Sequence, residues 1–203
     1  MACAAPTRDG TQELTAKSQN ELLLPARLAE LDDALVRMGG ARTVKDYDMA
    51  LSHADRSLRA IGELGRDAAP AVSRCVDILT GPERHSSNRD TYLQPTAVAA
   101  LGAIGEPAFE PVVKLLGHHE ARARESAASI LIGWLGQVYR SDARVSLTKL
   151  LDTIPAVEAP LAKEEDGSVR RTLSNTLHFL EWWKARLARD AANEAEMARY
   201  KAR

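Results

Sequence analysis

Aromatic side chains are scarce, at 4% of 203 residues, and there are only two cysteines, Cys3 and Cys75. Two cysteines so far apart exclude a disulfide scaffold, and the absence of CxxC pairs excludes a four-ligand zinc site. Net charge is nearly absent too: Lys+Arg 27 against Asp+Glu 28 leaves -1. Such a balance gives no bulk attraction to nucleic acid or to an anionic membrane. No apolar run is long enough to span a bilayer. No segment alternates apolar and polar residues as a strand does, so no sheet is expected. No apolar stretch follows Met1, so the sequence as written shows no signal peptide.

What is present suits a helical protein. The 45% of hydrophobic residues is too many for a disordered chain and enough for one domain or one short solenoid. Charge is mildly polarised, with 13 basic and 17 acidic side chains in residues 1–120 and 14 and 11 in 121–203. Solvated helix faces account for that.

Internal repetition is the main signal. Leu58-Arg59-Ala60-Ile61-Gly62-Glu63-Leu64-Gly65 is matched 40 residues later by Val98-Ala99-Ala100-Leu101-Gly102-Ala103-Ile104-Gly105. Each copy leads to a second apolar segment containing proline, Ala68 to Val72 with Pro70 and Ala108 to Val113 with Pro111. A third copy runs Arg124 to Gly136 and is followed by a second helix expected over Ala143–Asp152; a weaker fourth begins at Gly167. Each unit reads as a helical hairpin. Ala99, Ala100, Ala127 and Ala128 allow close helix approach, and Leu101 with Ile104, or Leu131 with Leu135, forms an apolar stripe. The second glycine of each pair, Gly65, Gly105 and Gly136, is expected to cap its helix in the left-handed conformation. Pro107 suits a helical first turn. A single hairpin cannot bury both of its apolar faces, so neighbours must stack.

This pattern resembles the HEAT repeat, in the short bacterial subtype also found in phycobilisome bilin lyases. Ala123-Arg124 and Val169-Arg170 fit its opening, and Gly102, Ile104, Gly105, Pro111, Leu115 and Leu116 fit the rest. The first two repeats lack the opening arginine, the third shifts its first glycine, and His178 stands where the fourth would have glycine. The resemblance implies an all-α, right-handed α-solenoid of about four HEAT-like helical hairpins, with capping helices at both ends, in a bacterial protein. The expected organisation is a flexible tail over 1–20, capping helices over 21–52, the array over 53–180 and a helical extension over 181–203. Within it, helices are expected near 26–38, ended by Gly39-Gly40, from about Val44 to Leu64, and over 169–200. Loops are expected at Thr80 to Asp90, at Gly117-His118-His119 and from Pro155 to Gly167.

Catalytic chemistry finds little footing. No GxGxxG, GxxxxGK, GxSxG or HExxH motif occurs. His118-His119 is an adjacent pair expected to point in different directions, with no third ligand at clear spacing, and His53, His85 and His178 stand alone. Asp32-Asp33 and Glu164-Glu165-Asp166 read as a polar helix face and a loop. The expectation is therefore a non-catalytic scaffold or adaptor with no cofactor and no metal, binding another protein through the concave face lined by the second helices. Aligning those helices puts Ser73, Lys114 and Lys149 at one exposed position, with Glu110, Arg144 and Arg74 nearby. Two rivals follow from HEAT-like resemblance. One is a DNA glycosylase-type enzyme using an aromatic such as Trp134, Trp182 or Trp183 with an acid such as Asp142, although the basic excess for that task is missing. The other is a bilin lyase-type chaperone. A cytoplasmic location is the default expectation. The alternative is a cell-envelope lipoprotein anchored through Cys3, since Met1 to Pro6 looks like the tail of a lipobox.

Overall fold

A computed structural model describes residues 10–81, 92–140 and 142–201, and the described residues are helical or irregular, with no strand. Helix α1, Gly10–Gly40, begins earlier than expected and runs through Pro25. Proline costs an interior hydrogen bond, but Leu24, just before it, is already buried on the stripe that continues through Leu28, Leu31, Leu35 and Met38. Packing of that stripe holds the helix together across the proline. Cys3 and the first nine residues lie outside the described part, as do His85 and most of the expected loop to Asp90.

Helix α2 spans Val44–Glu63. Thr43 caps it, accepting the Asp46 N–H at 3.1 Å while its hydroxyl donates to the Asp46 carboxylate at 2.7 Å. A 3-10 turn over Gly65–Ala71 leads to α3, Val72–Thr80. The same design recurs in α4, Leu93–Ile104, a 3-10 turn over Glu106–Ala108, and α5, Phe109–Leu115. The second segment of these two units is thus a 3-10 entry followed by an α-helix. Pro70 and Pro107 sit in the entries, where tight turns tolerate a missing donor.

Helix α6, Ala121–Tyr139, is longer than its counterparts and passes through Gly136 without ending. The expected cap at Gly136 is therefore replaced by an ordinary helical residue. The segment that follows also differs from expectation. Helix α7 spans only Leu147–Leu151 because Ser146 caps it with extended backbone, its Oγ accepting the Lys149 N–H at 3.4 Å. Arg144 consequently lies before the helix and not on it. Helix α8, Ile154–Leu161, occupies what the sequence suggested was loop. Pro155 falls in its first turn, where proline is well accommodated, and Val157 is fully buried. Helix α9, Gly167–Lys201, closes the chain as one rod.

Helices α2, α4, α6 and α9 pack in succession, each against the next; α3 lies on α4 and α5 on α6, while α7 and α8 lie on α9. Helix α1 flanks α2 and the first 3-10 turn. One apolar core runs through all of them, from Leu24 to Leu180. Cys75 belongs to it, fully buried, and burial pushes its thiol up to about 12, so it packs as an inert hydrophobe. No described helix is long and apolar enough to cross a membrane.

Candidate interaction surface

The residues expected to form a partner surface divide into two groups. Ser73 on α3, and Glu110 and Lys114 on α5, are exposed, and Lys114 has no ion-pair partner among the described residues. Lys149 and Arg144 are exposed too, but each is tied to the preceding unit. The Lys149 ammonium pairs with Glu106 and lies 5.7 Å from the centre of the Phe109 ring. That arrangement neutralises half of the expected Lys114–Lys149 ladder. Arg74 is likewise committed, donating to Asp32 at 2.6 Å.

Arg144 has a different task from the one its sequence position suggested. Its guanidinium donates to the carbonyl of Ala103 in the last turn of α4, and its backbone N–H donates to Gln137 at 3.3 Å. A cation here meets the negative end of the α4 dipole. Gly65 and Gly105 both have positive φ, 58° and 75°. A methyl added at Gly105 would stand 2.6 Å from Arg144 Cβ, and one at Gly65 would stand 3.0 Å from its guanidinium. Arg144 therefore touches the ends of both preceding first helices. The glycines exist for that approach as much as for the turn. Gly62 serves close packing as well, since its missing Cβ would lie 3.3 Å from Ala100 Cα.

A second clamp was not legible as a site. Arg124 opens α6, and Glu164 lies between α8 and α9, 40 residues later. They form a two-pronged pair at 2.6 and 2.8 Å, and Arg124 also donates to the carbonyls of His118 and His119. The Glu164 side chain is 2% exposed. The Arg124 guanidinium holds its carboxyl below the usual glutamate range, against the opposing effect of burial, with the Asp166 backbone N–H adding its own bond. Nothing local in the sequence marks this pair, since its two members lie on different elements 40 residues apart.

The aromatic and acidic candidates are absorbed by structure. Trp134 is fully buried, donates its indole N–H to the Gly102 carbonyl at 3.0 Å and lies 6.1 Å from the Phe109 ring. Asp142 faces Arg140 at 3.7 Å. His118 accepts the Glu120 N–H at 3.1 Å within its turn, and its ring lies 4.3 Å from that of His119, so the two do not point apart as expected. No three His, Cys, Asp or Glu side chains converge on a common point among the described residues. Open clefts of about 650 and 680 Å³ lie along the first hairpin, sharing Met49 and His53 in their walls. Trp182 and Trp183 meet edge to face at 5.1 Å, with Arg186 stacked over both.

Compared with models of known protein families, with curated proteins and with solved structures, the chain finds no match.

Proposed function

We propose that the chain is a short right-handed solenoid of about four HEAT-like hairpins, capped at its start by α1, and that it works as a non-catalytic adaptor for another protein. One observation supports this reading above the others, namely the succession of polar contacts between elements. Asp55 to Thr96 spans 41 residues, Gln94 to Ser126 and Trp134 to Gly102 span 32, Glu125 to Ser168 spans 43 and Thr176 to Ala128 spans 48, each joining one long helix to the next in the order α2, α4, α6, α9. These bonds join successive units, as expected of a stacked array, and Arg144 also reaches back two units to Gly65. Such arrays leave a long face of second helices for a partner, and HEAT-type architecture is suited to that use without a buried reaction site.

Within that face the partner surface is Ser73, Glu110 and Lys114, with Lys149 and Arg144 holding the array beneath it. A photoreactive residue placed at 73 or 110 in the full chain should capture one and the same protein from host lysate. Placed at 45, on the exposed side of α2, it should not. Lys114→Glu should lower that capture about tenfold, a loss of about 1.4 kcal/mol. Equal capture from position 45, no effect of Lys114→Glu, or recovery of nucleic acid or pigment in place of protein would overturn the adaptor reading.

A further inference from the structure

The two halves of α9 live in different surroundings. Val169, Leu173, Thr176 and Leu180 are buried on one stripe. At the same helical spacing that stripe continues as Trp183, Leu187, Ala191 and Ala198, yet beyond Arg186 every described side chain to Lys201 is exposed. The projecting rod from 184 to 201 is about 27 Å long. No other described element packs on this rod, and Leu187 and Met197 stay 43% and 56% exposed.

Charge changes sign along the rod. Residues 184–189 carry Lys184, Arg186 and Arg189 with no acid, 190–196 carry Asp190, Glu194 and Glu196 with no base, and Arg199 and Lys201 follow. Apolar side chains accompany both ends of this pattern, Trp183 and Leu187 at the first basic block and Met197 and Tyr200 beyond the acidic one. Arg186 is already fixed by the two tryptophans and by Asp190 at 3.8 Å. We propose that this rod pairs antiparallel with the same rod of a second copy, so that the chain forms a two-fold homodimer through the C-terminal half of α9. Antiparallel pairing about an axis near Asp190 sets basic block on acidic block in both directions at once, as a two-fold contact requires, and brings Arg199 opposite Glu181 of the second copy. Parallel pairing would set like charge on like charge.

The experiment is sedimentation of the full chain at about 100 µM, a concentration suited to a contact smaller than a standard interface. Wild type should be a dimer. Lys184→Glu/Arg189→Glu makes both blocks acidic, and Glu194→Lys/Glu196→Lys makes both basic. Each variant should weaken the dimer at least about tenfold, with circular dichroism reporting that the helices persist. An equimolar mixture of the two variants should regain the dimer, and so should the chain carrying all four changes. A monomeric wild type, dimers that survive both block reversals, or a four-fold variant that stays monomeric would overturn the proposal.

Discussion

The second and third units carry the same glycine spacing and treat it in opposite ways. At Gly105, α4 stops, φ turns positive, and the backbone and Cβ of Arg144 press against the glycine. At Gly133 and Gly136, α6 carries straight on to Tyr139, and nothing lies within 4 Å of where a Cβ would be. The tetrapeptide alone does not decide the outcome. The chain packed over it does. Where Arg144 arrives, only glycine fits; where nothing arrives, glycine is an ordinary and rather poor helix residue.

The sharpest way to break this contrast is Gly105→Ala. The new methyl meets side chain and backbone of Arg144, and the residue must hold a conformation that alanine avoids. Backbone strain and overpacking together predict a loss of about 3 to 4 kcal/mol in urea unfolding. A loss under about 1 kcal/mol would show that the contact relaxes freely and that the motif has no such constraint.

Arg124→Met tests whether the neighbouring clamp is equally demanding. It strands the buried Glu164 carboxylate and should cost about 3 kcal/mol at neutral pH. The pH dependence has a definite sign. Because the folded carboxyl titrates below its unfolded range, its stabilisation is complete above about pH 5 and fades as pH falls through the folded value. In Arg124→Met the stability should decline less steeply between about pH 5 and 3 than in wild type. Parallel acid profiles for the two proteins would remove Glu164 from the account.

Much of the helical layout was legible because period 3.6 and the 40-residue offset are local, additive signals. The stripe in α1, the bounds of α2 and the unbroken α9 all followed from them. What escaped depended on partners distant in sequence. Arg144 looked like a residue of a second helix facing solvent, because nothing local announces that Ser146 caps the helix after it or that the Ala103 carbonyl waits above. Glu164 looked like one of three loop acids. Pro155 looked like a breaker, whereas it begins α8, which buries Val157. Of the expected surface, exposure of Ser73, Glu110 and Lys114 was readable from their place opposite the apolar stripe. The capture of Lys149 by Glu106 was not, since both partners lie on different units.

Arg144→Ala separates the two glycine contacts. Alone it should cost about 1 kcal/mol, through the lost bond to the Ala103 carbonyl. In that background Gly65→Ala should cost less than in wild type by about 0.5 kcal/mol or more, because the guanidinium it would touch is gone. Gly105→Ala should be as costly as before, since alanine at 144 keeps the Cβ and backbone it strikes. Equal relief at both positions would mean that the guanidinium, rather than the backbone path, sets the packing distance.

The smallest effect has the opposite sign. Gly136 lies exposed inside α6 with open space around it. Alanine there adds no contact and removes the excess backbone freedom of glycine in the unfolded chain, so Gly136→Ala should stabilise by about 0.5 to 1 kcal/mol. Gly133→Ala should do the same, and the pair should add, because neither methyl meets a shared neighbour. A destabilised Gly136→Ala would mean that the third unit's glycine is under a constraint like that of Gly105, and that α6 stops at Gly136 in solution as α4 stops at Gly105. Stabilisation at 136 beside loss at 105 would establish that contact with Arg144, and not the repeat pattern, is what requires glycine.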